Sequence, residues 1–304
     1  MKTRELTLWQ RLRLECLWYT CCLFAHLPYW FRYYVIESLI TFVLTVIRYR
    51  RKVVLTNLRN SFPEKGTIEL CQIAQRFYRT LSEVIVDTIS MAGMSAEKSR
   101  QLVQWKNGEE QSRRTSGRDW IAMASHFGCW EYCLLWGTFD ATQSLVGVYH
   151  ELKDPVFEHF YRRLRKLPNT LNVTMQESMR FYLRNRGNRP TNLVMGLIAD
   201  QNPPLRPNSH WFRFLNQDTI FFDGGEKMAL RFGMPAYFVH MNRLKRGRYE
   251  IWFEELYDGQ EAVEPDEIVG RYVRCLEQMI VEQPEMWMWS HRRWKHRKPA
   301  TVEA

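Results

Sequence analysis

Trp120-Ile121-Ala122-Met123-Ala124-Ser125-His126-Phe127-Gly128-Cys129-Trp130-Glu131 is the stretch on which the reading of this chain turns. Its first five residues form an unbroken apolar run, which reads as a buried strand. The chain then turns near Gly128 and enters a helical pattern over Trp130–Trp136. The turn carries a histidine and a carboxylate five positions apart. An imidazole can take a proton near neutral pH, and a carboxylate on its other nitrogen fixes the tautomer and favours the charged form. Deprotonating an alcohol for attack on an acyl group requires such a pair. A loop histidine beside an unrelated glutamate is the plainer alternative.

Outward from this stretch the pattern is α/β. Strands are expected at Trp120–Ala124, Leu145–Tyr149, Leu193–Ile198, Ala236–Met241 and Tyr249–Glu254. Between them lie helical stretches at Pro155–Leu167, Gln176–Asn185, Gly225–Phe232 and Asp266–Glu282. Such alternation predicts a mixed, largely parallel central sheet surrounded by helices. Before it, apolar residues recur at spacings of three and four from about residue 66 to 93, a long helix with Thr67 as a possible cap.

The N-terminal region is different. Two apolar stretches run from about Leu14 to Phe31, broken by Glu15, His26 and Pro28, and from Tyr33 to Ile47, with Glu37 its one charge. Neither is a clean span of about 20 apolar residues. No small-residue cleavage site follows a short apolar core, which argues against a removed signal peptide. Arg48-Tyr49-Arg50-Arg51-Lys52 comes next, and cations beside an apolar helix favour the cytoplasmic side. Residues 1–47 are therefore expected to be a membrane anchor or interfacial helices, 48–298 one catalytic domain, and 299–304 a tail. An amphipathic cap on a soluble domain is the alternative for the first segment.

Composition agrees with a lipid-facing protein. Among 304 residues are 12 Trp, 14 Tyr and 17 Phe, and 43 Lys+Arg against 33 Asp+Glu leave a formal charge of +10. Aromatics with one polar end favour the water–lipid boundary, and the charge suits an anionic partner. No nucleic-acid-binding signature accompanies that charge. The seven cysteines are odd in number and include no Cys-x-x-Cys pair, which argues against both a disulfide framework and a zinc ribbon. His126, Cys129 and Cys133 offer three metal ligands without a fourth at useful spacing, so neither metal nor cofactor is expected.

Four segments together resemble the bacterial lipid A late acyltransferases, within the lysophospholipid acyltransferase superfamily. They are Tyr49-Arg50-Arg51-Lys52-Val53-Val54-Leu55-x-Asn57-Leu58-x-Asn60-Ser61-Phe62-Pro63-Glu64; His126-Phe127-Gly128-Cys129-Trp130-Glu131; Ile198-Ala199-Asp200-Gln201 followed by Phe214–Gln217 and Phe221-Phe222-Asp223-Gly224-Gly225-Glu226-Lys227; and Pro284-Glu285-x-Trp287-x-Trp289-x-His291-Arg292-Arg293-Trp294-Lys295. The likeness covers about residues 15 to 298, and the spacing around Ile198–Lys227 looks most like Bacteroidetes-type members.

The resemblance implies transfer of a fatty acyl group from a thioester, on acyl carrier protein or acyl-CoA, to a hydroxyl of a lipid A precursor. It places the reaction at the cytoplasmic face of the inner membrane, with neither metal nor acyl-enzyme. Another lipid acceptor, a lysophospholipid, aminolipid or glycolipid, is the alternative. His126 is then the general base and Glu131 its orienting acid, with donors for the oxyanion among the backbone N–H groups of residues 127–131. Asp200 and Gln201, at a strand end, are expected to orient the site or bind the acceptor head. Gly224, Gly225 and Lys227 read as a weak phosphate cradle. Arg163, in the basic helix end Arg162-Arg163-x-Arg165-Lys166, is a contact for carrier protein or lipid phosphate. The sequence departs from the family at Cys129, where Asn is usual. It departs again at Val148-Tyr149-His150-Glu151, where a cation is missing near a strand end.

Overall fold

The computed structural model describes residues 5–207 and 209–299, so the expected tail lies outside it from residue 300 on. Thr7 caps the first helix, α1 (Leu8–His26), and Gln10 returns a bond to the cap, a reciprocal capping box. Leu27-Pro28 stops it, since the residue before proline is driven out of the helical region. A π-helical turn (Phe31–Ile36) leads into α2 (Glu37–Val46). Arg48 and Arg50, both with positive φ, turn the chain into α3 (Arg51–Ser61), and α4 (Thr67–Ser90) follows. Gly66, not Thr67, is the N-cap of α4, and it makes no side-chain cap bond.

From there the chain runs through α5 (Ala96–Arg100), β1 (Val103–Trp105), α6 (Gly108–Arg114) and β2 (Trp120–Ala124). A 3-10 turn (Trp130–Leu135) passes into α7 (Trp136–Phe139), so the expected single helix there is wound more tightly at its start. Next come β3 (Gln143–Tyr149), α8 (Pro155–Leu164), β4 (Thr170–Thr174), α9 (Met175–Asn185) and β5 (Asn192–Ile198). A small hairpin, β6 (Phe212–Phe214) and β7 (Gln217–Thr219), precedes α10 (Gly224–Phe232). Leu215 and Asn216 take positive φ at its two-residue turn, the twist such hairpins need. Two long strands, β8 (Ala236–Lys245) and β9 (Arg248–Tyr257), then α11 (Glu267–Glu282), complete the order.

The seven-stranded sheet has the order β1-β9-β8-β2-β5-β3-β4, parallel except for the β8–β9 hairpin. The fold is thus the expected mixed, mostly parallel sheet with helices around it. β2 lies at its centre, buried at every position. The register pairs Ala124 of β2 with Ile198 of β5. Two residues beyond each partner stand His126 and Asp200, so two neighbouring parallel strands deliver them to the same edge. Carboxyl ends of parallel strands are where α/β proteins place their chemistry.

The N-terminal helices are packed onto this body. The Glu15 carboxylate accepts from Arg163 of α8 at 2.9 Å, and the Arg163 guanidinium lies 4.2 Å from the Trp18 ring. Tyr33 donates to buried Asp87 of α4 at 2.5 Å, and Arg246 of the β8–β9 turn meets buried Glu37 at 3.5 Å. No helix among the described residues is long and apolar enough to cross a membrane. The outer face is nonetheless apolar: Trp30, Leu39, Phe42, Val46 and Ile47 are all more than half exposed.

Candidate active site

His126 is held from both sides. Its Nδ1–H donates to Asp200 Oδ1 at 2.7 Å, and its backbone N–H to Asp200 Oδ2 at 3.0 Å. Trp287 Nε1–H, at 2.8 Å, gives Oδ2 a second donor. Burial works to raise the Asp200 carboxyl, but the His126 charge and these bonds outweigh it and hold its pKa below the usual carboxylate value. With Nδ1 carrying the proton, Nε2 keeps its lone pair. It faces a cavity and accepts from the Gln201 side-chain amide at 3.1 Å. The imidazole is 18% exposed and Asp200 only 2%, so the basic nitrogen is reachable while its orienting acid is not.

The expected partner of His126 is therefore corrected. Glu131 turns to Arg165, just past α8, in a two-pronged pair: Nε–Oε2 at 2.8 Å and Nη2–Oε1 at 2.5 Å. A 3-10 start at Trp130 aims residue 131 away from the imidazole, and a guanidinium matches a carboxylate better than one ring nitrogen does. Burial lowers the Arg165 pKa, but Glu131 more than reverses this, so the cation is kept. Arg165 also lies 5.6 Å from the Tyr149 ring and 5.0 Å from that of Tyr161. Arg165 thus stands beside the end of β3, where the sequence lacks a cation.

Two cavities meet here. The outer one, about 1040 Å³, is lined by His126, Gln201, Asn202, His150, Phe222 and Met175 among others. The inner one, about 710 Å³, is apolar and ends against Trp105, Trp120, Trp136 and Phe253. Trp130, Glu131, Val148, Tyr149, Arg165 and Ile198 line both. Across the strands Ala122 pairs with Gly196, Gly196 with Gly147, and Gly147 with Asn172. This row of small residues hollows the sheet under the inner cavity. A Cβ on Gly147 would sit 2.9 Å from a Leu134 methyl.

The other expected site residues separate. Gly225 is buried where α10 packs on the sheet, and a Cβ there would sit 3.3 Å from the Met123 methyl. It serves close packing there. Gly224 and Lys227 line a neighbouring hollow of about 950 Å³ that shares Met175 and Phe222 with the outer cavity, and the Lys227 ammonium pairs with Asp223 one turn back. Arg163 is spent on Glu15 and Trp18, as above, and lies outside the outer cavity. Cys129 is fully buried, and burial, then the nearby Asp87 and Glu131, pushes its thiol pKa well up, so it is no nucleophile. The triad of metal ligands at 126, 129 and 133 does not form. Among the described residues, only His240, Glu254 and Cys275 bring three such ligand atoms within 4.8 Å of one another. Of the turn's backbone donors, Phe127 and Gly128 are already used, on Ser125 and Met286.

The C-terminal motif turns inward. Trp287 and Trp289 are buried, and Met288 N–H donates to the His126 carbonyl at 3.2 Å. Arg293 is also buried, donating to Asn202 and to the Ile220 carbonyl, and burial lowers its pKa to about 10. Asn57 of α3 donates to the carbonyls of both Trp289 and His291 at 2.9 Å. The first and fourth sequence segments thus form one clamp behind the His126 turn. The spacing of motifs along the chain gave no sign of this contact.

The site thus sets a His–Asp pair at a sheet edge between a polar mouth and an apolar well. The sequence matches the bacterial lipid A biosynthesis acyltransferase model over residues 12–296, and the chain belongs to that family. No curated protein sequence matches it. Among solved structures it is similar to the 1-acyl-sn-glycerophosphate acyltransferase PlsC from Thermotoga maritima. That likeness is distant, with 15% identity over 92% of this chain and 99% of that one and a TM-score of 0.35.

Proposed function

We infer that the enzyme transfers a fatty acyl chain from a thioester, on acyl carrier protein or coenzyme A, to a hydroxyl of a lipid A precursor. The observation that carries this reading is the His126–Asp200 pair, with Nδ1 against the carboxylate and the ring facing the polar cavity at the mouth of the apolar one. The thioester carbonyl sits at this junction and its hydrocarbon tail enters the apolar inner well.

His126 Nε2 takes the proton as the acceptor oxygen attacks the carbonyl carbon. Asp200 stabilises the imidazolium and holds its tautomer, the role of the acid in a serine-hydrolase triad, with the substrate supplying the nucleophile. The Gln201 amide, displaced from Nε2 by the hydroxyl, is placed to donate to the developing oxyanion. As the tetrahedral adduct collapses, the C–S bond breaks and the imidazolium proton goes to the departing thiolate. Glu131 holds Arg165 at the joint of the two cavities, where the guanidinium meets anionic groups of acceptor or donor.

The apolar outer face of α1 and α2, with the cations of residues 48–52, favours docking of the N-terminal helices on the cytoplasmic surface of the inner membrane. Mass spectrometry of lipid A from a strain lacking the protein tests the acceptor. Loss of one secondary acyl chain is expected. Unchanged lipid A with an altered phospholipid, aminolipid or glycolipid would move the reaction to that acceptor.

A further inference from the structure

A second polar cavity, of about 1350 Å³, lies where the end of α1, the π-helical turn, the end of α4 and the β8–β9 turn meet. It shares no lining residue with the two cavities at His126. Arg32, Lys98, Arg246 and Arg248 line it, and no carboxylate does. Arg246 is committed to Glu37 and Glu83. Lys98 and Arg248 make no side-chain hydrogen bond or ion pair with any described residue.

Two buried donors at this cavity also go unused. Tyr132 lines it, is 0% exposed, and its hydroxyl has no partner. Arg32 gives one nitrogen to Ser90 at 2.6 Å, but its buried Nε–H has no acceptor. A buried polar group without a partner is costly to the fold, so two around one basic cavity point to an acceptor that binds there. Tyr29, Trp30 and Tyr34, all exposed, stand beside it and continue into the apolar outer face of α2.

We propose that this cavity binds a phosphate ester, presented by an anionic phospholipid headgroup at the membrane surface. Arg32 Nε–H and the Tyr132 hydroxyl donate to phosphate oxygens, and Lys98 and Arg248 balance their charge. The site is a lipid-dependent anchor on the reverse of the catalytic turn, since Tyr132 belongs to the 3-10 turn that follows His126. The lipid source of the phosphate rests on the membrane-surface reading above; the anion site does not.

The test uses the full chain with two probes. The first is inorganic phosphate, read as a rise in Tm. The second is vesicles of phosphatidylcholine with and without phosphatidylglycerol. Wild type is expected to gain Tm with phosphate and to bind the anionic vesicles about tenfold more tightly than the neutral ones. Lys98→Ala with Arg248→Ala loses both gains and keeps acyl transfer in detergent. A control pair of the same charge change, Arg113→Ala with Arg184→Ala, keeps them. Tyr132→Phe weakens the phosphate effect at least threefold without lowering the basal Tm, since the hydroxyl holds nothing in the free protein. Equal loss in the control pair, or no phosphate effect in wild type, overturns the site. A phosphate effect without vesicle preference overturns the lipid source alone. Failure to bind any vesicle, with the phosphate effect intact, rejects the membrane reading and spares the anion site.

Discussion

At the scale of residues, the chemistry rests on which acid faces which base. The sequence shows His126 plainly, because a histidine after a five-residue apolar run is seldom a core residue. It hides the partner. Glu131 is five positions away and Asp200 is 74, and only the Ala124–Ile198 register brings the distant one near. The two acids therefore fail differently. Asp200→Asn lowers the chemical step by roughly 10²–10⁴ while leaving donor binding near wild type, since an amide can no longer hold the imidazolium. Glu131→Gln frees Arg165 and should weaken substrate binding more than turnover, read as a rise in KM. Cys129→Ser keeps most activity, because the thiol lies buried under the turn.

At the scale of elements, the central strands β2, β3, β5 and the start of β8 were legible because they are dense apolar runs, and β9 because its apolar residues alternate with polar ones. The edge pieces were not. β4 reads Thr-Leu-Asn-Val-Thr, half polar, and β1, β6 and β7 have three residues each, too few for a period to show. The C-terminal motif, which mixes indoles with basic groups, could face lipid or pack inward. The structure shows the second, with Arg293 buried as well. Asn57→Leu is expected to cost about 1–3 kcal/mol in chemical denaturation, by leaving two carbonyls unpaired. The small-residue row makes a prediction for specificity. Gly196→Val fills the hollow under the inner cavity, so preference moves to shorter acyl thioesters in competition assays. His291 supplies a pH dependence. Burial lowers its pKa to about 4, against about 6.5 unfolded. The unfolded chain binds the proton first, so its contribution to stability is full above about pH 6.5 and falls as pH drops towards 4. Replacing it with Phe should flatten the denaturation midpoint over that window.

At the scale of the whole molecule, the N-terminal helical segment is packed into the body from α1 onward. Leu14, Cys21, Tyr33 and Glu37 are buried against the body, so deleting the segment would uncover core as well as remove a lipid contact. Point changes on the outer face separate the two effects. Phe42→Glu with Val46→Glu is expected to lower vesicle binding while Tm stays within a degree or two, because both side chains are more than 60% exposed. The apolar stretches and the following cations announced a lipid-facing region. That they fold as helices strapped to α8, α4 and the β8–β9 turn follows from the pairs Glu15–Arg163, Tyr33–Asp87 and Glu37–Arg246, each joining residues more than 50 positions apart.

The central claim is that Nε2 of His126, oriented by Asp200, takes the proton from a lipid hydroxyl. Single-turnover acyl transfer from an acyl thioester to a lipid A precursor, compared in wild type, Asp200→Asn and Glu131→Gln, tests it most directly. The account predicts that the chemical rate collapses in Asp200→Asn and survives at saturating substrate in Glu131→Gln. An Asp200→Asn enzyme turning over at the wild-type rate, with Glu131→Gln inactive at every substrate concentration, would contradict it.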